Sequence, residues 1–278
     1  MNFACSATVA LGPVINDIKR TGEVVKCVAD ALKSSCLLFS ICLWPDYAKG
    51  MADNLDTSFW SVEHFESLHW DISGSMDSLW KQLAKGKKSG INRGRREGVI
   101  IEEIETAWQV EHFHKLYTMS MERSRLSPQP FEYYMNLINV LRPRGLMKGF
   151  LALHPETKQP MATRMLLLGM RGEATLMASG HNYEFRKLRA PDLLMWHCIE
   201  YLKSREIVMV DFQGIPKGSS PRAEGIRDYK FAWAGDNGYR CPSFVLSHGN
   251  FGINPGLFQE LLLLGKKAAK GIKKLIKD

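Results

Sequence analysis

The chain of 278 residues lacks the short signatures that assign many enzymes at sight. It has no GxSxG elbow, no HExxH helix and no phosphate-cradling P-loop, which leaves serine hydrolase, zinc protease and nucleotide kinase chemistries without support. Its six cysteines form no CxxC pair and no metal-ligand spacing. Several of them lie in apolar runs, where reduced thiols pack as small hydrophobes. His112 and His114 stand two apart on an expected helix and face different ways, so they offer no metal pair. No apolar run approaches the length of a membrane span. The first residues have no basic stretch and are interrupted by Pro13, so no signal peptide is expected and a cytoplasmic protein is.

What is present is a large apolar fraction, 45%, with a formal net charge of +8. A chain of this size and composition can bury one elaborated core or two, and its charge favours anionic partners. Residues 3–15 read as a strand, 23–33 as a helix, and Cys36 to Leu43 as a buried strand. A loop follows at 47–59, then a strand from His64 to Ile72 that runs into Ser73-Gly74-Ser75, a helix N-cap region. From Val99 onward the patterns give a strand to Ile104, a helix from Ala107 to Ser124, and a helix from Phe131 to Leu141. A meander follows, with strands at Met147 to Leu153, Met161 to Met170 and Ala174 to Ser179. A helix from about Pro191 to Lys203, a strand from Ile207 to Asp211 and a last strand from Tyr239 to Leu246 complete the order. Residues 255–278 read as an amphipathic helix with six lysines, suited either to packing on the domain or to docking on an anionic membrane face.

Two stretches stand out chemically. Lys81 to Arg96 carries seven basic residues and no acidic one, with Gly86, Gly90 and Gly94 at regular spacing. Such a run is either a solvated helix face or a phosphate-contacting surface, and self-repulsion favours the second, with Lys87, Lys88, Arg93, Arg95 and Arg96 as the contacts. The other is Ile207 to Gly235, where a β-branched run ends at Asp211, enters a Gly/Pro/Ser-rich loop and closes on an aromatic segment containing Tyr229-Lys230. A strand emptying into such a loop is a common place for a site, and is also an ordinary surface loop.

The succession from Val99 onward is that of a GNAT-type N-acyltransferase, an α+β fold. Within that class the chain resembles the Fem (FemABX) aminoacyltransferases, which add amino acids to peptidoglycan precursors and have two GNAT-like domains. The resemblance runs over nearly the whole chain and rests on six elements in order. These are Gly12-Pro13-Val14; Lys88, Ile91, Arg93, Arg96, Gly98 and Val99; Glu122-Arg123 with Pro130-Phe131-Glu132-Tyr133; Ala190-Pro191; Asp211-Phe212-Gln213-Gly214-Ile215; and Tyr229-Lys230. Two positions depart from the family: Trp44-Pro45 stands where relatives have Asp-Pro, and Gln129 where they have an arginine resembling a diphosphate ligand. Relatives also begin with roughly half a GNAT domain more. The expected organisation is therefore a partial GNAT-like domain at 1–72, a complete one at 73–250 and the basic helix at 251–278. An incomplete first sheet would self-associate, take a partner chain, or mark a truncated copy.

The resemblance implies transfer of an amino acid from aminoacyl-tRNA to an amine of an anionic cell-wall precursor, with no bound cofactor. Lys230 would steady the developing oxyanion, and Asp211 would orient the loop or accept a proton, unless it merely caps backbone N–H groups. Tyr229, Arg123, Tyr183, Arg186 and Arg189 would contact substrate. Two other readings stay open. One is an acetyltransferase using acetyl-CoA, for which Phe185 to Pro191 supplies basic side chains but no glycine for close backbone approach to a pyrophosphate. The other is a degenerate, non-catalytic module on an RNA or membrane surface.

Overall fold

The computed structural model describes residues 6–9, 38–43, 60–169 and 172–249. Most of the expected strand at 3–15, the helix at 23–33, the loop at 47–59 and the helix at 255–278 lie outside the described residues. The chain divides into two compact units, one of Met1–Glu66 with Cys241–Asp278 and the other of Ser67–Arg240.

In the first unit β1 (Ser6–Val9) pairs in parallel with β2 (Leu38–Leu43), and β2 pairs antiparallel with β9 (Gly238–Gly249) from Leu38↔Gly249 to Leu43↔Phe244.

The second unit begins within β3 (Trp60–Asp71). Then come α1 (Met76–Gln82), α2 (Lys85–Arg96), β4 (Ile100–Glu103), α3 (Ala107–Arg123) and α4 (Phe131–Leu141). After these run β5 (Met147–Leu153), β6 (Pro160–Leu168), β7 (Glu173–His181), α5 (Ala190–Ser204), β8 (Met209–Gly214) and α6 (Pro221–Ala234). Its strands lie in the order β3-β8-β7-β6-β5-β4. Every neighbouring pair is antiparallel except β7 and β8. The α+β, GNAT-like architecture expected from the strand and helix patterns is the one observed.

Apolar side chains explain the layering. On β5, Phe150 and Ala152 join one core with Trp196, Ile199 and Leu202 of α5, while Met147, Leu151 and Leu153 join another with Phe113, Leu116 and Ile138 of α3 and α4. A strand covered on both faces reads as a continuous apolar run, which is why the meander was legible without strict alternation. Helix starts carry their signals too. Ser75 accepts the N–H of Ser78 at the start of α1, and Thr106 with Gln109 forms a full capping box on α3.

One helix was not anticipated as such. The Tyr229-Lys230 segment, expected as loop between strands, is α6. Its Ser220-Pro221 start reads as the tail of the preceding Gly/Pro/Ser loop, yet Ser220 caps the Ala223 N–H and Pro221 needs no intrahelical partner there. The glycine-bearing basic run is α2, and its glycines are a packing device. A Cβ on Gly90 would collide with the Asp192 carboxylate, and one on Gly94 would lie 2.8 Å from Cβ of Leu193. Both neighbours belong to α5, so small residues let the two helices approach closely. Gly86 faces open space.

Those three positions therefore respond differently to one methyl group. Gly86→Ala should raise stability by up to about 1 kcal/mol through helix propensity. Gly90→Ala and Gly94→Ala should each lower it by about 1–3 kcal/mol through overpacking. Denaturant titration of the three variants checks this, and equal shifts at all three would contradict the close α2–α5 contact.

Candidate active site

The parallel pairing of β7 with β8 covers only Glu173↔Met209, Ala174↔Val210 and Thr175↔Asp211. Beyond it β7 continues to His181 and β8 to Gly214 without pairing to each other, so the strands part. Gln213 spans the gap with a 3.4 Å bond from its side-chain amide to the Met177 carbonyl. A sheet opened between parallel strands offers backbone groups and side chains from both of its faces to one place.

Lys230 reaches this opening from α6. Its ammonium donates to the Gly214 carbonyl at 2.6 Å and the Gln213 carbonyl at 3.2 Å, both at the end of β8. Burial lowers its pKa to about 8, against the opposing pull of the Asp211 charge. Asp211 is buried on β8 and accepts the Gln213 N–H at 2.6 Å. That bond fixes a residue in the left-handed region, Gln213 at φ 62°, and so sets the carbonyls that hold Lys230. Burial raises the Asp211 pKa to about 6, while the Gln213 N–H and Lys230 pull it down. His69 on β3 lies opposite Asp211, with Nε2 3.7 Å from Oδ1. Burial lowers its pKa to about 4, so at neutral pH the contact is dipolar and not an ion pair.

Tyr229 serves the other face of the sheet. Arg164, on β6, donates to its hydroxyl at 2.9 Å, and the Lys87 ammonium lies 4.3 Å from its ring centroid. Lys87 also pairs with Asp192 at 3.0 Å, and Arg189 pairs with the other oxygen of Asp192 at 2.7 Å. At the end of β7, Arg123 lies 3.2 Å from Nε2 of His181. Because a guanidinium only donates, that nitrogen accepts and the ring proton sits on Nδ1. Burial and the Arg123 and Arg164 charges lower the His181 pKa to about 4. The guanidinium groups of Arg123 and Arg186 lie 5.8 and 4.8 Å from the ring centroid of the exposed Tyr183.

The structure thus brings Lys230, Asp211, Tyr229, Arg123, Tyr183, Arg186 and Arg189 to the parted ends of β7 and β8 and the turn that follows. It disperses the basic run. Lys87 faces inward onto Asp192, while Arg93 pairs with Glu97 and Arg95 with Glu200 on the surface. The Lys88 ammonium is held by the Lys81 carbonyl, and Arg96 is exposed. Carboxylates of the chain itself pair with three of the run's seven cations, Lys87, Arg93 and Arg95. Sequence reading passed over Arg164, His69, His181 and Asp192. Arg164 alone had a visible signal, a lone charge inside the apolar run of β6.

A profile of the acetyltransferase (GNAT) domain matches residues 81–236, more than half of the chain. The chain belongs to the GNAT acetyltransferase domain family. It is an acyltransferase, and the matched stretch contains every side chain of the site described above except His69. No curated protein sequence matches it. Among solved structures it is similar to FemX, with a TM-score of 0.65 at 13% identity over 91% of this chain and 82% of that one. It is also similar to L-PGS from Bacillus licheniformis, with a TM-score of 0.56 at 12% identity over 86% and 76%. A third is the C-terminal domain of a putative lysylphosphatidylglycerol synthetase from Agrobacterium fabrum, with a TM-score of 0.57 at 13% identity over 93% and 80%. At such identities the likeness is one of fold, and at that level the resemblance to the Fem proteins holds.

The buried titrating groups set opposing pH dependences of stability. Between about pH 4 and 6.5 the neutral His69 and His181 bind fewer protons folded than unfolded, so each makes stability rise with pH. Asp211 does the reverse between its ordinary 3.8 and about 6, holding a proton in the folded state that the unfolded chain has lost. In Asp211→Asn the opposing contribution is gone, so stability should climb more steeply from pH 4 to 6 than in the wild type. Urea titrations across that range test it, and parallel curves would show that Asp211 titrates normally.

Proposed function

We propose that this GNAT-family protein transfers an amino acid from aminoacyl-tRNA to an amine of an anionic acceptor such as a cell-wall precursor. One observation carries the choice of donor. Acetyl-CoA would place its pyrophosphate at a helix N-terminus approached by permissive backbone. Here the first turn of α5 already holds the buried Asp192 carboxylate, its oxygens taken by Lys87 and Arg189, and the preceding residue, Arg189, carries a side chain at φ 57°. The two cations nearest that turn are therefore already committed to Asp192, and the backbone there carries a side chain where close approach would need none. The exposed Tyr183, with the guanidinium groups of Arg123 and Arg186 near it, instead offers an aromatic ring and two cations of the kind that meet the bases and phosphates of a nucleic acid. The fold shared with FemX and with lysylphosphatidylglycerol synthetase supports the same reading.

In the reaction the acceptor amine attacks the ester carbonyl of the charged tRNA, the C–N bond forms, and the carbonyl oxygen takes the electron pair. Collapse of that intermediate breaks the C–O bond to the ribose, and the proton lost by the amine goes to the leaving hydroxyl. Lys230 spends two N–H groups on the carbonyls of Gln213 and Gly214 at the end of β8, which leaves a third for the substrate oxygen. A cation held so supports the oxyanion without reorganising. Asp211 acts through the Gln213 turn and is a positioning residue for Lys230.

The donor is read by mass spectrometry of an amine acceptor incubated with charged tRNA or with acetyl-CoA. An added aminoacyl mass supports the proposal, and an added acetyl group overturns it. Lys230→Ala should lower transfer by about two to three orders of magnitude with little change in Tm. Because the ammonium is the active form, the wild-type rate should fall as pH rises through about 8. A rate that instead increases through that pH would make Lys230 a general base.

A further inference from the structure

Arg164 is 7% exposed, on the β6 face that carries Phe150 and packs toward α5. A guanidinium in such a place is ordinarily matched by a carboxylate, because an uncompensated buried charge is strongly unfavourable. Among the described residues none pairs with it. Its one side-chain partner is the neutral Tyr229 hydroxyl, and its buried Nε–H meets no acceptor. Asp192, whose charge is felt at His181 together with that of Arg164, is already shared between Lys87 and Arg189, and Arg123 adds a further positive charge beside His181. Summed over Lys87, Arg123, Arg164, Arg189 and Asp192, four cations face one anion. A water molecule would satisfy the Nε–H but not the charge. Ser179, which registers opposite Arg164 on β7, is exposed, so this position adjoins the unpaired edge where β7 leaves β8.

We propose that Arg164 is the floor of an anion-binding subsite, entered at the parted ends of β7 and β8, that takes a carboxylate or phosphate group of a substrate. Tyr229 holds the guanidinium by one nitrogen and leaves Nε–H for the ligand. Since Lys230 follows Tyr229 on α6, the same helix that presents the ammonium to the acyl group steadies the anion anchor. The subsite deepens the acyl-transfer reading by saying what a substrate must carry, and it holds whichever acyl donor is used.

Thermal unfolding of the full chain in dilute buffer tests it, with sodium acetate, inorganic phosphate or sodium chloride added at matched ionic strength. Acetate or phosphate should raise Tm saturably by about 4 °C or more while chloride does not, and the anion with the lower half-saturating concentration names the chemistry. In Arg164→Met the saturable rise should vanish, and Tm in chloride should equal or exceed that of the wild type, because an apolar side chain replaces an uncompensated charge. A wild type without a saturable response to either anion overturns the subsite. So does Arg164→Met that responds like the wild type, or that is several degrees less stable in chloride. If Arg164→Met does not fold, Arg164→Lys takes its place. It keeps the charge but loses the Nε–H, and should raise the half-saturating concentration tenfold or more, an unchanged value being equally fatal. No acyl donor enters the assay, so failure of the donor assignment and failure of the subsite are read separately.

Discussion

The site depends on a single buried carboxylate. Asp192 sits in the first turn of α5, where backbone N–H groups and helix polarity favour an anion, and it receives Lys87 from α2 and Arg189 from the turn before α5. Lys87 reaches it only because Gly90 and Gly94 bring α2 against α5 without intervening side chains. Once there, the Lys87 ammonium lies over Tyr229 and Trp233 and so ties α6 to the same point. Removing the carboxylate would strand two cations in a partly dry place, which costs far more than the pair is worth relative to apolar packing.

Close approach recurs at the far side of the sheet. Gly180 on β7 lies against the Leu116–Tyr117 backbone of α3, where any Cβ would strike main-chain atoms. With no side chain at that position, β7 sits flush on α3, and His181 follows it into a bond from its own N–H to the Ser120 hydroxyl. Arg123, one turn on from Ser120, thereby meets the imidazole. The last residues of β7 are thus fixed by α3 instead of by β8, and the two strands can separate without either becoming loose.

The strands and helices built on apolar periodicity were legible because burial on one or both faces writes itself into the pattern. β5 occupies the very span that its composition indicated, Met147–Leu153. α6 was not legible, since a helix that begins at Ser-Pro and carries Gly225 looks locally like the loop before it. Asp211 and Tyr229-Lys230 stand out in the sequence as the strand end and the aromatic segment that flank a Gly/Pro/Ser-rich loop, and the family pattern singles out the same residues, whereas their contact through the Gln213 turn is a matter of backbone geometry. The basic run misled in part. Charge counted along a sequence takes no account of carboxylates more than a hundred positions away, and Asp192 and Glu200 turn Lys87 and Arg95 from free cations into paired ones. Arg164 was overlooked for the opposite reason, as one charge among apolar neighbours changes no average.

The two faces of the opening differ in how their charges are balanced, and the difference suits the two tasks of a transferase. On the Arg164 face positive charge exceeds negative, which favours a permanently ionised group already in the bound substrate. On the Lys230 face the ammonium and the Asp211 carboxylate offset each other, with pKa values drawn from opposite directions toward neutrality. With the net charge near zero a neutral ester is held weakly, and on the proposed reading it is the ammonium N–H itself whose contribution would grow as negative charge develops on the oxygen. Binding energy would on that reading be drawn from one side of the sheet and barrier lowering from the other, with the consecutive residues Tyr229 and Lys230 on α6 keeping the two in register.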